Sequence, residues 1–590
     1  MALTAAQLEQ QRKQAEELLF SGPQTLGFAK ALFFGHFNAP LLFPYPEIEP
    51  KERDLIAKAV ADVRRFCDEN IDAAAIDRDA DIPAEVVSGL GGLGVLGATA
   101  PAVYGGRGFS QLANTRIMEV IGGHDSAVAV FVNAHHSIGI RALLLFGTEA
   151  QKQKWLPGLV SGRQLAAFAL TETEAGSDAA NVQTTATPTP NGKAYILNGH
   201  KRYITNGGIA QALTVMARTP VPGSDETKIT AFLVTPDLPG FEVVEPRMPK
   251  VGIRGTATGK LAFHDMVVSA ENVLGQIGKG LRIALTVLDF GRTTFGASCT
   301  GAAKTCLKAA VRHANTRKQF KQTLGEFELV KKKIAYMAAH AFAMEATTSE
   351  CASFIDRGFE DYMLETAMLK VWSTEALWQI VNDTIQIYGG QAFFTDEPYE
   401  RMMRDARLNQ IGEGANDVLR AFIALVGMRG VGEELKDVLD AIRNPLKGGG
   451  KLWSFVRDQV GARLSIPEIP VQSHALRKEA AELGKRVRDF GLAVQAMLRH
   501  YREDILQKQY IHERIADAAC ELYASSCTLS RLDSLLTLAN GNPAELNRDV
   551  TVGRYYLKLS DRRIRQCLAA LKTNDDPITT EAADVVLGRS

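Results

Sequence analysis

From Glu52 onward the apolar positions recur at helical spacing: Leu55, Ile56, Ala59, Val60, Val63 and Phe66. The helical pattern continues through residues 111–160. At Ala166 it gives way to short β-like runs at 167–170, 195–197, 213–216 and 229–234. Asn198-Gly199 and Asn206-Gly207-Gly208 read as hairpin signals between them. Regular short strands with tight turns predict a small β-barrel or sandwich. Helical periodicity returns after Leu274-Gly275 and runs from Gly280 to about Val426. Glycines 427, 430, 432 and 448–450, then Pro467 and Pro470, mark a linker, and residues 472–572 are helical again.

The predicted fold is therefore mainly α, with a central β-barrel domain and an extra C-terminal helical domain. Its expected parts are an N-terminal arm (1–50), a helical domain (51–165), the β domain (166–275), a helical bundle (276–430), a linker (431–471) and the extension (472–590). The arm ends at Phe43-Pro44-Tyr45-Pro46, where the prolines favour extended backbone.

At 590 residues the chain is too long for one core. A formal net charge of zero argues against a nucleic-acid partner. Seven scattered cysteines without a CxxC pair suggest neither a metal site nor a disulfide framework, and fit a reducing compartment. Met1-Ala2-Leu3-Thr4 and its neighbours show neither a secretory signal nor an Arg-rich transit peptide, which favours bacterial cytoplasm. No apolar run approaches the roughly 20 residues of a membrane span.

Two features look chemical and are read as structural. Gly89–Gly97 holds overlapping G-x-G-x-x-G matches, but a dinucleotide fingerprint must follow a strand, and Ile82-Pro83-Ala84-Glu85 reads as a helix start. His135 and His136 are adjacent, so on a helix they point to different sides and make a poor metal pair.

Gln386 to Arg420 is different. Glu413 lies between Gly412 and Gly414, just ahead of a helix-like run, and glycines on both sides let a ligand approach the main chain closely. A carboxylate held that way is suited to general-base work. The run Gly412-Glu413-Gly414-Ala415-Asn416-Asp417, with Gly389-Gly390 and Arg404-Asp405-Ala406-Arg407 upstream, resembles the catalytic loop of the acyl-CoA dehydrogenases. The chain is most similar to their very-long-chain branch, which carries a C-terminal helical extension.

The resemblance implies an FAD-dependent enzyme that converts a fatty acyl-CoA to trans-2-enoyl-CoA. It implies electron-transfer flavoprotein as the acceptor and a homodimer as the assembly. Glu413 would be the catalytic base. Leu170 and Thr171, in a match to T-E-x-x-x-G-S-D, would face the flavin, with Ser177 on the substrate's pantetheine arm. Tyr203 stands where the family usually has tryptophan and would stack on the ring, and Thr205 would reach N5. Arg317 and Phe320 resemble the diphosphate-binding element donated by a second subunit, with Lys321 in place of its glycine. Gln386 and Gly390 would reach the adenosine end. Asp289, Arg292 and Gly414 would contact substrate, while Ala127, Ala129, Phe131 and Asn133 would line the deep pocket. Ala415 replaces a threonine that usually touches the flavin. A non-catalytic relative that scaffolds respiratory-complex assembly is the alternative. The basic amphipathic stretch Lys451–Val460 is a candidate for peripheral membrane contact.

Overall fold

The computed structural model describes residues 26–223, 226–443, 465–538 and 543–589. The Lys451–Val460 stretch lies outside them. The chain divides into two compact units, one built from Glu47–Phe359 and Ser373–Ala415 and the other from Pro23–Pro46, Glu360–Trp372 and Asn416 onward.

The first unit opens with helices Arg53–Asn70, Ala84–Gly92 and Gln111–His124. Ile56, Ala59 and Val63 are buried there, as the spacing predicts, whereas Leu55 of the same set is exposed. The glycines of the 89–97 run lie partly inside helix Ala84–Gly92, and only Gly94 takes a left-handed turn (φ 74°). Among the described residues no strand precedes them, so a nucleotide loop has no frame here. Ser126–Phe146 is one continuous helical stretch whose middle, Asn133–Gly139, widens to a π-helix. Contrary to the expectation from the sequence, its 21 residues are long and apolar enough to cross a membrane. However, 83% of its most apolar window is buried inside the protein.

The β strands are β1 (Ala166–Ala169), β2 (Thr185–Pro188), β3 (Ala194–Ile204), β4 (Ala212–Pro220), β5 (Thr227–Val234), β6 (Phe241–Glu245), β7 (Gly259–Ser269) and β8 (Val273–Leu274). They form one sheet in the order β6-β7-β3-β2-β4-β5-β8, with β1 parallel to β4. The sheet does not close, so the barrel expected from the strand pattern is an open sheet. Asn198-Gly199 is not a hairpin either. It lies within β3 at a register shift against β7, where a Cβ on Gly199 would meet Thr184. The extra residue of this bulge belongs to β7, opposite Asn198, and glycine at 199 makes room for Thr184 just ahead of β2.

The longest element, Gly280–Thr316 (37 residues), packs against helix Gln111–His124 through small residues: a Cβ on Gly122 would strike Ser298, and one on Gly301 would strike Glu119. Helices Glu328–Asp356 and Tyr399–Asn409 and the second part of Met363–Tyr388 complete this unit.

The second unit contains helices Asn416–Arg443, Arg477–Tyr501, Gln509–Leu538 and Pro543–Ala570. Its core takes in part of the expected arm, since Phe28 and Phe33 are fully buried and the Phe33 and Phe490 rings meet at 5.1 Å. Gly427, Gly430 and Gly432 continue helix Asn416–Arg443 instead of opening the expected linker. A Cβ on Gly427 would strike the Phe33 ring, and one on Gly430 would come within 2.9 Å of Phe34. These glycines make room for aromatic residues some 400 positions earlier in the chain.

Candidate active site

Glu413 follows helix Tyr399–Asn409, whose end is closed by Ile411 and Gly412 N–H groups donating to Leu408 O. Glu413 itself is left-handed (φ 60°), a conformation that non-glycine residues take at a cost, and Gly414 follows at φ 96°. Two anchors hold the helix beneath it. Arg404 grips Asp77 through both guanidinium nitrogens (2.9 and 2.7 Å) and also donates to Val251 O. Asp405, buried, accepts the Ile253 N–H at 2.5 Å. Burial, with the Asp125 charge nearby, pushes the Asp405 carboxyl up to about 7.

Asp289 and Arg292 lie one turn apart on helix Gly280–Thr316, both buried, and are paired at 3.1 Å. Arg292 Nε also donates to Glu413 O at 3.3 Å. Between them is Gly291, where an added Cβ would lie 2.9 Å from Glu413 Oε2 and 3.2 Å from Ile138 Cγ1. The Glu413 carboxylate therefore occupies the space that a side chain at 291 would fill. One wall of that space is Ile138, on the π-helical segment, and Ile138 shares a buried cluster with Leu170. The glutamate and the Asp-Arg pair are thus brought together, with the π-helical segment as one wall.

The 170–178 loop is tied to β3. Lys201 Nζ donates to Leu170 O (3.1 Å) and to Glu172 Oε1 (2.7 Å), and Arg202 N–H donates to Thr171 O (2.9 Å). Tyr203 is left-handed (φ 60°) and 56% exposed, within the second register shift of β3. Thr205 is half-buried and Ser177 exposed. An exposed aromatic ring beside this loop fits a planar cofactor that would cover it. Ala127, Ala129, Phe131 and Asn133 are buried, and the Phe131 carbonyl accepts from Asn206 Nδ2 at 3.2 Å.

Arg317, Phe320, Gln386 and Gly390 do not join this group. From Arg292 to the last helical residue, Thr316, is 24 residues, or about 36 Å at 1.5 Å per residue. Arg317 follows directly. Phe320, 88% exposed, and Lys321 form the tip of a two-stranded hairpin, β9 (Lys318–Gln319) with β10 (Gln322–Thr323), at φ 52° and 68°. Positive φ at both central residues is what such a short turn demands. Lys321 therefore adopts the conformation a glycine would supply. Gln386 and Gly390 sit at this same end, because Tyr388 stacks on His313 (4.0 Å) and donates to Ala309 O. A Cβ on Gly389 or Gly390 would meet nothing within 4 Å.

His135 and His136 are fully buried. Ala166 N–H donates to His135 Nδ1, which leaves Nε2 protonated and donating to Leu159 O. Burial lowers the His135 ring to about 4, so it stays neutral. Among the described residues no cluster of His, Cys, Asp or Glu is arranged to hold a metal.

Sequence reasoning missed Gly291, Lys201 and Glu172. For Lys201 a signal existed: on β3 it falls two and four residues beyond Gly199 and Leu197, on the face where Tyr195 and Leu197 are buried.

Four profiles of known protein families match the chain. They are the N-terminal (55–163), middle (167–266) and C-terminal (278–427) domains of acyl-CoA dehydrogenases, and the ACAD9/ACADV C-terminal domain (474–585). The very long-chain specific acyl-CoA dehydrogenase of Rattus norvegicus, a mitochondrial protein, is 35% identical over 93% of this chain and 85% of its own length. The probable acyl-CoA dehydrogenase FadE10 of Mycobacterium tuberculosis is 32% identical over 98% and 91%. The crystal structure of an acyl-CoA dehydrogenase complexed with FAD from Bacillus anthracis matches with a TM-score of 0.78 at 27% identity, covering 94% of each chain.

Proposed function

The chain belongs to the acyl-CoA dehydrogenase family as an FAD-dependent enzyme of its very-long-chain-like branch, and on that premise we propose that it oxidises a long-chain fatty acyl-CoA to the trans-2-enoyl-CoA. The observation that carries this reading is the Glu413 carboxylate, seated over Gly291 beside the Asp289–Arg292 pair. Abstraction of the weakly acidic α-proton needs a base held at one place. Arg292, fixed by Asp289, holds the Glu413 carbonyl and so anchors the main chain that carries the carboxylate. The Glu413 N–H serves as a donor to the thioester oxygen, where negative charge develops. Ser177 meets the pantetheine arm, and Asp289, Arg292 and Gly414 border the acyl-CoA. FAD, when bound, accepts the β-hydride. Leu170, Thr171, Tyr203 and Thr205 would hold and orient its ring, and Ile138 forms an apolar wall beside the carboxylate.

The residues for the far end of the cofactor, Arg317, Phe320, Gln386 and Gly390, lie about 36 Å along the helix from Arg292. They therefore serve a second copy, in a homodimer that exchanges these ends. Arginine suits the diphosphate because its planar fork binds two oxygens. Electron-transfer flavoprotein is the proposed acceptor, and bacterial cytoplasm the proposed location, in line with the mycobacterial relative. The test is anaerobic mixing of the purified yellow protein with acyl-CoAs from short to very long. Bleaching by the long chains is expected. A yellow protein that no acyl-CoA bleaches would favour the assembly-scaffold alternative.

A further inference from the structure

Lys201 has no place in the reaction just described, yet it is among the most costly residues in the protein to bury. Its side chain has 0% exposure and that of its partner Glu172 has 5%. A buried ammonium persists only where charge and hydrogen bonds compensate its lost hydration. Both ends are compensated here. Glu172 Oε1 accepts from Lys201 Nζ (2.7 Å), Thr184 Oγ1 (2.5 Å) and Thr184 N–H (3.1 Å), and Oε2 accepts from Gln183 N–H (2.5 Å). A second donor of Lys201 is spent on the Leu170 carbonyl at 3.1 Å.

That last bond has a directional consequence. The only cis peptide among the described residues is Phe43-Pro44, so the Leu170–Thr171 peptide is trans. In a trans peptide the C=O and the following N–H point in opposite directions. Lys201 holds the Leu170 oxygen on the β3 side, so the Thr171 N–H faces away from β3. The next peptide is fixed likewise: Arg202 N–H takes the Thr171 oxygen, and the Glu172 N–H is satisfied by Ala175 O (3.0 Å).

We propose that Lys201 is a positioning residue of the flavin site. Clamped by Glu172, its ammonium grips the Leu170 carbonyl and aims the Thr171 N–H at the polar edge of the flavin ring. The inference rests on Leu170 and Thr171 facing the flavin, as argued above. A fixed donor with a buried cation behind it stabilises the reduced, more electron-rich ring over the oxidised one, and so raises its reduction potential.

The competing explanation is that the pair merely ties the β domain together. Two FAD-loaded variants separate them. Lys201→Met removes the grip but strands the Glu172 charge, and so risks the fold. Lys201→Met/Glu172→Gln removes both charges and keeps one carbonyl acceptor, which can still take the Thr184 hydroxyl and N–H. Spectroelectrochemical titration at saturating FAD gives the two-electron midpoint potential and the visible spectrum. In the folded double variant we expect the reduced-to-oxidised preference to fall about tenfold, a drop of about 30 mV, with a shifted flavin absorption band. A potential and spectrum equal to wild type in the double variant overturn the proposal, whether or not the single variant folds. Wild-type protein that binds no FAD would instead sink the flavin reading itself.

Discussion

Gly291→Ala separates the stability of the fold from the placement of the base. The new Cβ would stand 2.9 Å from Glu413 Oε2 and 3.2 and 3.3 Å from Ile138 Cγ1 and Cδ1. Comfortable contact is about 3.5 Å or more, so one of these groups must yield by about half an ångström. The Glu413 carboxylate is the far end of a flexible side chain and yields most cheaply, whereas Ile138 is set in a buried cluster. Alanine also gains about 0.8–1 kcal/mol over glycine in a helix interior, enough to offset a small displacement. The melting temperature should therefore hold or rise. Catalysis should not. A displacement of about 1 Å at a reacting group can cost about 10²-fold, and half that points to a loss of about ten- to a hundredfold in the rate of flavin reduction. Stopped-flow reduction by a long-chain acyl-CoA, with calorimetry and flavin content on the same preparation, gives all three quantities. A variant that reduces its flavin at the wild-type rate would refute the geometry. A variant that loses both FAD and stability would show that Ile138, not the carboxylate, had been displaced.

Glu413→Gln is nearly isosteric but cannot accept the α-proton, so it should keep FAD and lose about 10²–10⁴-fold or more in turnover; wild-type turnover would remove Glu413 as the base. Arg317→Ala should lower flavin content and dimer stability together in gel filtration with absorbance detection, and a monomer with full FAD would contradict the exchanged-end arrangement. Glu365, buried in the second unit, accepts the Ala29 N–H at 2.7 Å, and burial together with the Asp361 charge pushes its carboxyl up to about 8. A carboxyl raised in the folded state contributes stability that is complete below its ordinary value near 4.5 and is lost as pH rises through 8. Glu365→Gln has no such titration, so its stability relative to wild type should grow between pH 5 and 8, by at most about 4 kcal/mol at ~1.4 kcal/mol per pH unit. A gap in urea denaturation that does not widen would refute it.

The local periods determined the kinds of element. Positions three and four apart announced the helices on either side of the sheet, and short β-like runs announced β1, β3, β4 and β5, although β3 runs on to Ile204, well past the run at 195–197. The carboxylate loop, the Asp-x-x-Arg pair and the Thr-Glu loop were legible as motifs, because each is a short run whose residues act near one another in the chain. What the sequence by itself could not settle was which distant surface each element meets. Asn198-Gly199 had the chemistry of a hairpin but runs on within β3, opposite a bulge in β7 and with Thr184 packed against the glycine. Gly427 and Gly430 looked like punctuation and instead admit Phe33 and Phe34 into a helix groove, which draws residues 23–46 into the core of the second unit. Gly291 looked like any helical glycine until Glu413, 122 positions later, occupied its missing side chain. The reason is the same in each case. Periodicity records whether a side chain faces apolar surroundings, which depends on near neighbours, whereas close packing depends on volumes that elements far apart in the chain supply together.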